Sequence, residues 1–264
     1  MTCVNCGAEG NGNFCSNCGQ ALHVKRIRLK DAWEDIWEHV SGFDGKFFRT
    51  FKDLTIRPGF AAREFINGNR ARYYGPVAYY LLMITVFLLW LEFIDLSFVD
   101  YIKAMQKTIT NQNDTPFTAN IRKILSDNLK IFAFFVVPFV AYASRRIYFR
   151  KQGLNLLEHS VPIFYMLGHW YWFQMAEATL LRFTGITIGS MAHSFLIALY
   201  VGYGYVSFVP DQPRLKVFLK GTGVYLTGFF LFMVAVVIVV SVWVAVLFAT
   251  DPSQLDAIRP PKSH

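Results

Sequence analysis

From Pro76 onward the chain is a succession of apolar blocks separated by short polar runs, whereas the first 75 residues mix apolar and charged positions at helical spacing. A bilayer core of about 30 Å takes about 20 helical residues to cross. Five blocks reach that length, at 76–96, 129–149, 159–181, 186–209 and 221–249. The last is the cleanest, since Val224–Ala249 contains no charge at all. The second has only 14 residues between Lys130 and Arg145, with Pro138 among them, so its flanking cations would have to snorkel. A re-entrant segment is the alternative reading of that block. Small residues recur every fourth position along two blocks, as Ser190, Ser194, Ala198 and Gly202 and as Ser241, Ala245 and Ala249, a spacing that lets helices approach closely.

The polar stretch ahead of these blocks divides into amphipathic pieces. Leu29–Val40 places Leu29, Trp33, Ile36, Trp37 and Val40 on one helical face and Asp31, Glu34, Asp35 and Glu38 on the other. Over Lys46–Ile56, Phe47, Phe48, Phe51 and Leu54 share a face while Lys46, Arg49 and Lys52 point away. That pattern suits a helix lying among lipid headgroups, and equally a core-facing helix with solvated lysines. Arg57-Pro58-Gly59 starts a further short helix and Gly68 ends it. Arg70 and Arg72 then precede the first apolar block as interfacial anchors and candidate headgroup contacts. The expected fold is therefore an all-α polytopic membrane protein, with amphipathic helices over 23–75, a helical membrane domain over 76–250 and a polar, Pro-rich tail over 251–264.

Composition agrees with this division. Only 17% of the 264 residues are charged and 54% are hydrophobic, against about 25% charged for a soluble domain. The net charge of +8 is spread so that basic residues are densest on the side of the N-terminal region. The positive-inside bias then puts the N-terminus in the cytoplasm and the tail outside, in a cell (inner) membrane. Since orientation accounts for the basic excess, no nucleic-acid partner is expected; the lipid bilayer is.

All four cysteines lie within the first 22 residues. Cys3-Val-Asn-Cys6-Gly7 and Cys15-Ser-Asn-Cys18-Gly19 are two CxxCG knuckles, each turning two thiolates toward one point. Together they make a tetrahedral S₄ set that suits one structural Zn²⁺ ion and leaves no position open for substrate. A pair of disulfides and a rubredoxin-type iron site are the other readings of the same spacing; a reducing compartment disfavours the first. A ribbon of about 20 residues has too little core to fold unaided, so its folding is expected to be coupled to the metal.

The order of these motifs resembles one family. A double CxxCG, then Arg49-Thr50 with Leu54, Arg57-Pro58-Gly59, Glu64-Phe65-Ile66-x-Gly68-x-Arg70 and Tyr73-x-x-Pro76 follow one another as in bacterial zinc-ribbon multi-pass membrane proteins of unknown function. Glu158-His159 at the start of the third block is similar to a further element of that family. The resemblance implies a membrane protein with a zinc ribbon and carries over no activity.

Ionisable residues inside apolar blocks are functional candidates, because burying them costs several kcal/mol. Glu158, His159, His169, Glu177 and His193 form such a set. Glu177 and His193 flank a short turn at comparable depths, where antiparallel helices would let them pair. The set reads either as a polar path or second metal site, or as neutral imidazoles and a carboxyl that hydrogen-bond helix to helix. No phosphate loop, nucleophile elbow or dinucleotide fingerprint accompanies it. Three functions are consistent with the sequence. The first is an adaptor or assembly protein presenting its ribbon to a cytoplasmic partner, with self-association through the small-residue faces as an option. The second is a small transporter or channel, and the third an intramembrane lipid-modifying enzyme.

Overall fold

In the computed structural model, residues 1–23, 26–28, 45–107 and 129–250 are described. The amphipathic helix expected over Leu29–Val40, most of the polar 97–128 connection and the 251–264 tail lie outside them. Among the described residues the chain is helical, with isolated β-bridges only in the ribbon. Helix α1 spans Gly45–Ile56 and α2 Pro58–Ile66; a 3₁₀ turn at Arg70–Arg72 leads into α3, Pro76–Phe93. Then come α4 (Phe98–Lys107), α5 (Leu129–Ala143), α6 (Leu156–Thr184), α7 (Ser190–Phe208) and α8 (Arg214–Thr250).

Local chemistry sets several boundaries. Pro58 and Pro76 each occupy the first turn of their helix, where a missing N–H removes nothing. Asn155 caps α6 by accepting the Glu158 N–H, and the Glu158 carboxylate accepts the Asn155 N–H in return. Such a capping box is worth about 1 kcal/mol. Gly185, in the left-handed region at φ 72°, ends the same helix.

Helix α6 is the axis of the bundle. It packs on α3, α5, α7 and the α1–α2 hairpin, while α8 closes over α5 and α7. Tyr165, Met166, Ile163 and Ala178 of α6 are fully enclosed, together with Tyr79, Met83 and Ile84 of α3 and Ala198, Val201 and Tyr205 of α7. Helices α7 and α8 meet at glycines: a Cβ on Gly221 would lie 3.0 Å from the Gly202 Cα and 2.7 Å from the Tyr205 Cβ. The small-residue face of α7 is thus used within the chain at Gly202. Ser241 and Ala245 on α8 are exposed instead.

Among the described residues, three helices are long and apolar enough to cross a membrane: Arg70–Phe93, Ser190–Phe208 and Arg214–Trp243. This is fewer than the five blocks of the sequence, for two physical reasons. Block 129–149 is a helix only to Ala143 and then relaxes into a π turn over Ser144–Tyr148. Block 159–181 belongs to a 29-residue helix, but Glu158, His159, His169, Glu177 and Arg182 dilute its apolar character.

The α1–α2 hairpin is seated directly on this bundle. Phe47, Thr50 and Leu54 face inward, while Phe48 is exposed, so the expected grouping of Phe48 with the buried aromatic face does not hold. The hydroxyls of Tyr200 and Tyr203 donate to the carbonyls of Leu54 and Ile56, and the Gly59 N–H donates to Ser207 Oγ. A Cβ at Gly59 would collide with the backbone of Gly204 and Phe208. Gly59→Ala is therefore expected to lower stability by about 1–3 kcal/mol through overpacking. Gly45→Ala, with nothing within 4 Å of the added carbon, should change it by under about 1 kcal/mol. Denaturation midpoints of the two detergent-solubilised variants check this, and equal midpoints would contradict it.

Candidate functional site

Two repeats twelve residues apart build the N-terminal ribbon. In the first, the Cys3 N–H donates to Ala8 O and the Gly7 N–H to Cys3 O; in the second, Cys15 donates to Gln20 and Gly19 to Cys15. Gly7 and Gly19 sit at φ 75° and 72°, the left-handed conformation that closes each knuckle. The four Sγ atoms lie within 4.8 Å of one another, with Cys3–Cys18 and Cys6–Cys15 at 3.6 Å. An S–S bond of about 2.05 Å is excluded at that separation. A tetrahedral ion with metal–sulfur bonds of about 2.3 Å needs sulfur–sulfur edges of about 3.8 Å, so the cage fits. These four cysteines can hold a metal ion.

The electrostatics of the cage point the same way. The Ala8 N–H, assisted by the Asn17 side chain, holds the Cys6 thiol down to about 6. The Cys6 N–H favours the Cys3 thiolate, but burial and the adjoining sulfurs of Cys18 and Cys15 push it up to about 11. Without a cation, four sulfurs this close cannot all carry charge.

Gln20 ties the ribbon to the turn that precedes α3. Its side chain is 3% exposed; Nε2 donates to Gly68 O at 2.6 Å and Oε1 accepts the Ala71 N–H at 2.8 Å. One amide thus pairs with the backbone of the turn that carries Arg70 and Arg72. Downstream, Ile27 is buried, its carbonyl accepts from Asn155 Nδ2, and Arg26 reaches the Gly153 carbonyl. The sequence reading missed Gln20. Its signal was present in the repeat, since the equivalent position of the first knuckle is Ala8.

The five ionisable residues of the helical domain separate into four sets with no member in common. Glu158 belongs to the α6 capping box. His159 Nδ1 lies 2.9 Å from Ser144 Oγ, which also accepts the Tyr205 hydroxyl. This fastens the π turn to α6 and α7. His169 links three helices: Nδ1 is 2.9 Å from the Tyr79 hydroxyl, Nε2 is 3.1 Å from Thr55 Oγ1, and Phe51 packs at 4.9 Å. Thr55 already spends its proton on Phe51 O. His169 Nε2–H must then be the donor to Thr55, and bare Nδ1 accepts from Tyr79, giving a neutral, fully satisfied imidazole.

Glu177 and His193 make the fourth set. Nδ1 of His193 is 2.9 Å from Glu177 Oε2, and its Nε2 accepts the Trp170 indole N–H at 2.9 Å. An indole only donates, so Nε2 is unprotonated and Nδ1–H donates to the carboxylate. Tyr101, Thr187 and the Ile188 N–H donate to the same carboxylate. The turn between α6 and α7 thereby wraps the buried Glu177. Glu158 and His169, which the sequence puts in one candidate set, serve separate contacts.

The basic residues also divide. Arg49, Lys52 and Arg72, joined by Arg57, line one open cavity of about 630 Å³. Lys46 and Arg70 do not line it: Arg70 lies over the Phe65 ring, and Lys46 gives its carbonyl to the Thr50 hydroxyl.

Metal uptake by the free cage must expel at least the Cys3 proton near neutral pH. Affinity should then fall by about tenfold per unit of acidification, read by competition with a chromogenic chelator; a pH-independent affinity would contradict the thiolate cage. In the helical domain, Glu177→Gln turns an amide NH₂ toward donors and should cost about 2–3 kcal/mol. Glu158→Gln keeps the capping acceptor and should cost under about 1 kcal/mol. Thermal midpoints that reverse this order would refute the assignment.

Residues 44–88 match the model of a family described as a protein of unknown function, DUF3667. No curated protein and no solved structure matches the chain. The matched segment holds α1, α2, the Arg70–Arg72 turn and most of α3, including every residue that lines the basic cavity.

Proposed function

We propose that the chain is a multi-pass membrane protein that crosses the bilayer five times and displays a Zn²⁺-bound ribbon to a cytoplasmic protein partner. The supporting observation is the way the ribbon is mounted. Gln20 fixes it to the Gly68–Ala71 turn, while Val4 and Phe14 stand exposed on its surface at 55% and 68%. A knuckle held at one side and apolar on another is suited to presenting a surface rather than to chemistry. Zinc is preferred because a closed S₄ cage matches its ligand and geometry preferences. The five-crossing count treats α6 as a span whose ionisable groups are satisfied within the protein, which is the condition for burying them in lipid. The basic N-terminal side gives a cytoplasmic ribbon and an outer tail.

The same internal satisfaction tells against the transporter reading. His169, Glu177 and His193 have their hydrogen-bonding atoms directed to protein partners, and these partners do not link into one path. A lipid-modifying enzyme would need one of these groups free as a general base.

A photo-crosslinking residue at position 14, in the full-length chain in intact cells, tests the proposal. One discrete adduct is expected from position 14, lost in Cys15→Ser/Cys18→Ser and absent when the probe sits at exposed Leu215 in the first turn of α8. Adducts of equal pattern from positions 14 and 215, or none from 14, would overturn the adaptor reading.

A further inference from the structure

The cavity on the outer face of α1 has a composition that the adaptor reading does not use. It is lined by Phe48, Arg49, Lys52, Asp53, Ile56, Arg57 and Arg72. Four cations therefore face one carboxylate. That carboxylate is already engaged, since Asp53 Oδ2 accepts the Tyr73 hydroxyl at 2.8 Å and Oδ1 lies 3.7 Å from Arg57. Arg57 is also held over the Phe60 ring at 3.9 Å. No carboxylate pairs with Arg49, Lys52 or Arg72 among the described residues. Arg72 Nε is buried with no acceptor, a donor left unpaired although buried polar groups are almost always bonded.

Place and shape narrow the ligand. Arg72 stands four residues before Pro76, where α3 begins, so the cavity opens where the chain enters its first span. Phe48 and Ile56 on the rim are 63% and 55% exposed. Cations inside with an apolar lip match a group whose head is anionic and whose tail is hydrocarbon. A small soluble anion would gain nothing from the lip. The walls are rigid: Thr50 bonds the Tyr74 N–H, and Gln20 fixes the turn that carries Arg72.

We propose that this cavity binds the phosphate of an anionic phospholipid headgroup, with Arg49, Lys52 and Arg72 as the ligating side chains and Phe48 and Ile56 against the acyl chains. The site shares no residue with the metal cage and needs no protein partner.

Native mass spectrometry of the full-length, detergent-solubilised protein tests it, with phosphatidylglycerol and phosphatidylcholine as probes. The wild type should retain phosphatidylglycerol on the order of tenfold better than phosphatidylcholine, and Arg49→Gln/Arg72→Gln should lose that preference. Arg214→Gln/Lys216→Gln, which removes two exposed cations elsewhere, should keep it. A double variant that keeps its metal but loses the preference supports the site even if its stability changes. Lys52→Gln alone, which leaves the Arg72 turn untouched, should give a partial loss. Equal binding of the two lipids, or equal loss in the Arg214/Lys216 control, would overturn the proposal. Displacement of phosphatidylglycerol by millimolar inorganic phosphate would overturn the lipid assignment and make the ligand a soluble phosphate.

Discussion

The seating of the α1–α2 hairpin against α6 and α7 is the contact on which the rest of the molecule depends. It is made where backbones touch, at Gly59 against Gly204, and where one imidazole, His169, joins α1 to α3 and α6. Everything on the N-terminal side is positioned by it. The hairpin ends in the Gly68–Ala71 turn, Gln20 clamps that turn, and the metal cage follows within two residues of Gln20. A displacement of the hairpin would move the ribbon and dismantle the basic cavity together, because Arg72 and Arg49 belong to its two sides.

Inside the helical bundle a second rule operates. Apolar surroundings supply no hydrogen bonds, so each polar group has to be met by protein. For its ionisable groups the chain obeys this with local solutions: a capping box at Glu158, a serine at His159, a threonine and a tyrosine at His169, and four donors around Glu177. All but the capping box join two or more segments. The ionisable residues are therefore part of what specifies the packing, and their substitution is read first as a change in stability.

Sequence revealed what depends on short-range chemistry. The CxxCG spacing defines a cage because two residues between cysteines leave the thiols few directions, and Pro58 and Pro76 mark helix starts because proline fixes φ and lacks an N–H. The charge-free stretch of α8 is equally plain. What the sequence hid depends on partners distant along the chain. Phe48 and Phe51 look alike in a helical pattern, yet Phe51 meets His169 and Trp172 while Phe48 rims a cavity. Helix α6 reads as a diluted apolar block, and the partners of its His169 and Glu177 lie far along the chain, from Thr55 of α1 to His193 of α7. Arg57 resembles a helix-start residue until its guanidinium is found beside Asp53.

Hydrogen–deuterium exchange across residues 45–72 of the full-length protein in lipid nanodiscs tests the central claim most directly. If the hairpin is an integral part of the bundle, its helical amides should exchange as slowly as those in the first turns of α3, and Gly59→Ala should accelerate exchange in the hairpin and the ribbon together. Hairpin amides that exchange as fast as an unstructured peptide, or a Gly59→Ala effect confined to residues 58–60, would contradict it.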